Sequence, residues 1–289
     1  MKFNIAMIEP PHAKFAHFLY DPMRCLQYGI ESLGHNCTLT RNNLDATRIN
    51  LVMGGHQIAD PASVDGLLKA KTKYILLQSE VIRDGQVNSS GEGHWKLCYL
   101  PLLRGALRIW DWSVPQVAEH ARLGLAADHL QIGYHPAVAE IHHKAEKDIG
   151  VLFFGSITEH RRRLLEALVA KKVPMRVVFD ALPIYRNDLI ARARIILTLQ
   201  QAKDSHLNYA RVLYAVNNRC LVAGERAREP HWIDPCFVQA DEKELADLLL
   251  SLLSRDDLDA MACERLEKLK AFPTTAFVAP LLENIRGLA

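Results

Sequence analysis

Residues 151 to 168 read VLFFGSITEHRRRLLEAL. An apolar run, Val151 to Phe154, meets Gly155 and Ser156, and three consecutive arginines, Arg161 to Arg163, open the helical pattern that follows. At such a strand-to-helix turn the backbone N–H groups lack partners and point outward, which suits an anion, and glycine lets a phosphate approach the backbone. An arginine in a first helical turn is unfavourable by itself, because it adds charge to the positive end of the helix. It makes sense if an anion comes to sit there, since guanidinium binds phosphate bidentately. Three adjacent helical residues point in different directions, so one of them is placed to reach such a site. The competing reading is solvated surface, with Arg162 and Arg163 bridging acids such as Glu159 and Glu166.

Groups able to take a proton sit at the ends of other apolar runs. Glu80 ends ILLQSE, Asp111 follows RIW, His56 follows Gly54-Gly55, and His12 lies just past the first run. Each has a plain alternative: Glu80 pairing with Arg83, Asp111 capping the next turn, His56 as a hydrogen-bonded loop histidine. His142-His143 reads as a solvated pair, and no metal site is expected. Trp110 and Trp112 alternate on one strand, the first as core and the second near enough to the strand end to stack on a ring. There is no H-E-x-x-H, G-x-S-x-G or Walker motif. EPPHAKF stands where a dinucleotide-binding G-x-G-x-x-G would follow the first strand, which argues against an ordinary oxidoreductase.

These residues are positioned by an alternation of strand and helix patterns. FNIAMI, CTLT, INLVMGG, KYILLQS, LRIWDWS and HLQIGYHP (129–136) read as strands, with helices such as RCLQYGIESLGH between them. HWKLCYLPLLRGA begins as a helix that Pro101 interrupts, and RDGQVNSSGEGH (83–94) has the composition of a loop. A polar stretch at 139–148 intervenes, and the alternation restarts with DIGVLFFGS. Strand–helix alternation implies parallel sheets covered on both faces. The expected organisation is two Rossmann-like, doubly wound α/β domains facing a cleft, at 1–140 and 148–270, with a last helix at 271–289 packing back across the junction.

Composition narrows the classes. The 289 residues carry 35 basic and 33 acidic side chains, a net charge of +2 that gives no footprint for nucleic acid. Six scattered cysteines without a C-x-x-C pair read as reduced thiols of a cytoplasmic protein. No stretch is long enough to span a bilayer, which leaves peripheral membrane contact open.

The segments VLFFGSITEHRRRLLEAL, YRNDLIARARIIL and NYARVLYAVNNRCLVAGE resemble those of small bacterial glycosyltransferase-like proteins of the GT-B fold, group 1 type. NLVMGGH, ILLQSEVI, ALRIWDWS and QIGYHP are similar to that group's landmarks in the first half, so the resemblance spans about residues 50–250. It implies a nucleotide-diphosphate sugar bound by the C-terminal domain, with a glycan, lipid-linked or small-molecule acceptor against the N-terminal one. It implies no metal and no resident cofactor. Donor-side residues carried over are Gly155, Ser156, Arg161, Arg186, Asn208 and Arg211. Glu80, Asp111 and His56 are the candidates for taking the acceptor proton. The loop at 83–94 is then either mobile surface or a lid over the acceptor. The sequence departs from the group at Asn208, where a glutamate is usual, at Asn187, usually acidic, and at Gln200, usually histidine. Those departures support the alternative of a non-catalytic GT-B-like binding or scaffold protein.

Overall fold

The computed structural model describes residues 1–9, 17–83, 85–87, 91–179, 182–202, 209–227 and 230–287. His12 and Asn208 lie outside these. The chain divides into two units, one of 1–13, 23–132 and 274–289, the other of 14–22 and 133–273. The polar stretch at 139–148 thus belongs to the second unit, and the last helix to the first.

In the first unit, β1 (Lys2–Met7), α1 (His17–Ser32, which begins in the second unit), β2 (Asn36–Arg41), β3 (Ile49–Met53), α2 (Pro61–Lys69) and β4 (Tyr74–Gln78) alternate. A short hairpin, β5 (Ile82–Arg83) and β6 (Gln86–Val87), precedes α3 (Glu92–His94), a π-helical turn (Trp95–Tyr99) and α4 (Leu100–Gly105). Then come β7 (Arg108–Asp111), α5 (Val114–Arg122) and β8 (Ala127–His129). The strands form one parallel sheet in the order β2-β1-β3-β4-β7-β8. All residues of β3 and β4 are buried, as expected of central parallel strands covered on both faces. Tyr74, Leu76, Trp95, Tyr99 and Leu102 lie in one apolar cluster beneath them.

The second unit contains β9 (Ile149–Phe154), α6 (Glu159–Ala170), β10 (Met175–Val178), α7 (Pro183–Arg192), β11 (Ala193–Thr198), α8 (Tyr209–Asn217), β12 (Val222–Glu225), β13 (Val238–Ala240), α9 (Leu245–Leu253) and α10 (Leu258–Lys270). Its parallel sheet runs β10-β9-β11-β12-β13. The first unit closes with α11 (Thr274–Ile285). In both sheets the order reverses beside the first strand, and the carboxyl ends of strands at such a switch point are where open α/β sheets bind ligands. Both the parallel sheets and their double winding agree with the sequence reading.

Three local differences have physical causes. The strand expected at 129–136 stops at His129, because its neighbour among the described strands, β7, ends at Asp111, the partner of His129. Leu130 and Ile132 are still fully buried, which explains the misleading apolar pattern. Pro101 does not interrupt the helix. It is the second residue of α4, which continues directly from the π-helical turn Trp95–Tyr99, so the helical run passes through it. The loop-like run at 83–94 takes in the hairpin from Arg83 onward and α3, with 84 and 88–90 outside the described residues.

In the second unit the Asn218 side chain fastens the polar stretch. Its Oδ1 accepts from Glu140 N at 2.7 Å and Ile141 N at 2.9 Å, while Nδ2 donates to Val138 O and Tyr214 O. His143 Nε2 lies 2.7 Å from Asn218 O, and its neighbour His142 is exposed. The six cysteines are free thiols, and only Cys263 is exposed. No helix among the described residues is long and apolar enough to cross a membrane.

Candidate functional site

The turn after β9 is built around Gly155. Its φ of +136° is a conformation that side chains other than glycine's rarely adopt. A Cβ added there would overlap Nη2 of Arg211, so the missing side chain makes room for a guanidinium. Arg211 stands in the first turn of α8, its Cζ 5.1 Å from the Phe153 ring and 5.3 Å from the Phe154 ring. Cation–π contact favours the charge there but satisfies no N–H. Nε is shut off from solvent, and the guanidinium has no hydrogen-bond or ion-pair partner among the described residues. Burial, then the neighbouring Arg161, push its pKa down to about 9. An arginine stays charged at neutral pH even so, and this one is a cation that no described residue compensates, facing a glycine turn at a helix N-terminus.

Arg161 is placed differently from the sequence expectation. It is 3 % exposed, and its guanidinium donates to Leu199 O, Gln200 O, Ser156 O and Ser156 Oγ at 2.9–3.2 Å. Thr158 caps α6, accepting from Arg161 N, and donates its hydroxyl to Gln201 O at 2.7 Å. Arg161 therefore ties the β9–α6 turn to the end of β11, and its donors are spent on the chain. Arg162 bonds Glu159 and Arg163 bonds Glu242. The triple-arginine run thus splits into one buried strut and two surface pairs.

Arg186 is also committed. It grips both oxygens of Asp21 at 2.5 and 3.2 Å and lies 4.5 Å from the Tyr214 ring centroid. Asn187 Oδ1 accepts from Arg186 at 2.9 Å, and its Nδ2 donates to Glu140 at 3.3 Å. A carboxylate at 187 would lack that donor, which gives this departure from the family pattern a structural reason. Gln200, the other described departure, donates Nε2 to Arg226 O at 2.7 Å and its backbone N–H to Glu225 at 3.0 Å.

Glu225, missed by the sequence reading, ends β12 at 6 % exposure. It was legible as the last residue of the family-like stretch NYARVLYAVNNRCLVAGE. His160 Nε2 lies 2.9 and 3.1 Å from its two oxygens. A carboxylate only accepts, so Nε2 carries the proton. Neutral Nδ1 is then an acceptor for Arg163 Nη2 at 3.5 Å. Thr158, His160, Arg163, Gln201 and Glu242 line a hollow of about 580 Å³ beside these groups. The donor atoms of His160, Glu225 and Glu242 lie within 4.8 Å of one another, a spacing able to hold a cation, although Glu242 is already paired with Arg163.

In the first unit, His56 and Glu80 come together and Asp111 goes elsewhere. Gly54 (φ +81°) and Gly55 set His56 after β3, where a Cβ at either would strike Ile8 O or Leu76. Desolvation lowers the His56 pKa, opposed by the charge of Glu80, so its ring is neutral at neutral pH. Asp111 is 1 % exposed and bound to His120 Nε2 at 3.0 Å and Ser113 N at 2.8 Å. Burial raises its pKa, and these partners oppose the rise. It holds the β7–α5 turn and is not open to a ligand. His120→Ala leaves that carboxylate buried with one partner and is expected to destabilise the protein by about 3 kcal/mol. Adding Asp111→Asn should recover much of the loss, and a double-mutant cycle of thermal melts checks both. Trp110 is fully buried core.

No family model and no curated protein matches this sequence. Solved structures do match over nearly the whole chain. One is an alpha-glucosyltransferase in complex with UDP, with TM-score 0.62, 11 % identity and 99 % of each chain covered. Another is HepE of Anabaena in complex with UDP, at 0.58 and 9 %, covering 98 % of this chain and 100 % of that one. AviGT4, a glycosyltransferase involved in avilamycin A biosynthesis, matches at 0.52 and 15 %, covering 99 % and 97 %. With two doubly wound parallel sheets and whole-chain likeness to these enzymes, the chain has the GT-B fold of nucleotide-sugar glycosyltransferases.

Proposed function

We propose that the protein is a glycosyltransferase that moves a sugar from a nucleotide-diphosphate donor to a glycan, lipid-linked or small-molecule hydroxyl. The observation that carries this reading is Arg211, a partly buried guanidinium with no partner among the described residues, held against Gly155 at the carboxyl end of β9. A diphosphate supplies the anion this cation lacks, and UDP is bound by two of the structural relatives.

As the bond from the sugar C1 to the diphosphate oxygen breaks, negative charge grows on the leaving group. A fixed guanidinium and helix N-terminal amides stabilise that charge without reorganising, the largest contribution such a site makes. Arg211 supplies the charge itself, so transfer without a metal is part of the proposal. Arg161 holds the turn in shape and does not touch the donor. Glu225, with His160 fixing it, offers a carboxylate acceptor to donor hydroxyls. Gly155 and Ser156 contribute backbone at the turn.

A thermal-shift panel of UDP-, GDP-, dTDP- and ADP-linked sugars tests this. At a hundredfold excess over Kd a ligand adds about 2.7 kcal/mol, roughly 5–10 °C for a unit of this size. At least one compound should produce such a rise and be hydrolysed slowly to nucleoside diphosphate. A flat panel refutes the proposal.

A further inference from the structure

Three residues of the first unit converge on one tyrosine. The His56 ring lies 6.3 Å from the Tyr99 ring and nearly perpendicular to it, at 87°. The His94 ring lies 6.5 Å away and nearly parallel, at 16°. Glu80 is close enough for its charge to act on both His56 and Tyr99. Neither imidazole has a hydrogen-bond partner among the described residues, and the buried Nδ1 of His94 is unsatisfied.

Tyr99 is itself fixed. It is 1 % exposed, its hydroxyl donates to Gln78 Oε1, and Gln78 Nε2 donates to Glu80 O at 2.8 Å. The ring is thus tied to the carboxyl end of β4, and through Gln78 to the backbone of Glu80. His94 reaches it because the turn Trp95–Tyr99 is π-helical, with Leu100 N–H donating to Trp95 O five residues back. Widening the turn brings residues five apart over one another, which an α-turn does not do, and π-turns recur at functional sites. The strand ends that carry His56 and Glu80 are also where ligands bind in sheets of this type.

We propose that His56 and His94, gathered around Tyr99 with Glu80 beside them, form the site that takes the acceptor hydroxyl, with His94 as a binding residue that the sequence did not reveal. The inference rests on the transferase reading above. A neutral His56 accepts the hydroxyl proton as the acceptor oxygen bonds to the sugar C1. The bond from C1 to the diphosphate oxygen breaks with its electron pair going to the diphosphate, and the proton later passes to water. His94 orients the same hydroxyl.

Histidine-labelled full-length protein lets the cluster be tested first without any substrate. The His56 resonance should titrate at higher pH in His94→Gln, which removes a like charge, and at lower pH in Glu80→Gln, each by about half a pH unit. The second arm measures nucleoside diphosphate release with water as acceptor, using the donor that shifts the melting temperature most. His56→Gln and His94→Phe should release it at least tenfold more slowly, with the donor-induced shift unchanged. His94→Phe keeps a ring over Tyr99, so a merely structural His94 would leave turnover intact. An unmoved His56 titration in His94→Gln, or parental turnover in His94→Phe, overturns the proposal. A missing donor shift instead sinks the transferase reading, while the titration still decides whether the rings act together.

Discussion

Arg211→Met should abolish nucleotide stabilisation and raise the melting temperature of the unliganded protein. The two effects have opposite signs for one reason. In the free protein the guanidinium sits among Phe153, Phe154 and Arg161 with its Nε desolvated and unpaired among the described residues. Removing an uncompensated, partly buried charge while keeping the side-chain stem relieves about 1 kcal/mol, roughly 2–4 °C. With donor present, the same replacement deletes the charge that meets the diphosphate. Loss of a charge-assisted bidentate contact lowers affinity by about a hundredfold. Thermal melts with and without the best nucleotide read both effects. A variant that melts lower and still binds would show that Arg211 is a structural residue.

Arg161→Ala should show the reverse profile, a large loss of stability before ligand binding is considered. Arg161 makes five hydrogen bonds, to three backbone carbonyls and the Ser156 hydroxyl. Truncation strands those four acceptors in a site largely closed to water, at about 1 kcal/mol each, so a total of about 4 kcal/mol and a fall of roughly 8–16 °C follow. Arg161→Lys should recover only part of this, because an ammonium cannot reach three carbonyls in a planar fork. Melting curves of the two variants without ligand decide it. An Arg161→Ala protein as stable as the parent would mean that the strut is dispensable.

The contrast between these arginines shows what the sequence could and could not reveal. The turn at Gly155 was legible, because an apolar run ending in glycine before a helical pattern has few other solutions. The charge in that turn was assigned to the nearest arginines in the chain. In the fold, Arg161 points back at its own turn, and Arg211, fifty residues later, supplies the guanidinium that no described residue pairs. Only the family resemblance pointed to Arg211. Side-chain direction depends on what each residue packs against, which a run of identical letters hides. Asp111 and Glu80 looked alike as acids at strand ends. His120, nine residues on, captured Asp111. His94 left no trace, since a π-turn breaks the 3.6-residue period by which helices are read. The alternation of strands and helices came through well, because parallel strands buried on both faces are continuous apolar runs.

The Asn218 socket has a consequence for anyone wishing to express the halves separately. The run AEIHHKAEKD looks like the natural place to cut the gene. Yet Val138, Glu140 and Ile141 are plugged by their backbones into one asparagine amide beyond α8. A C-terminal fragment begun at 148 would expose that amide's polar atoms to solvent and lose the strap across them. Starting it at 133 keeps the strap in place.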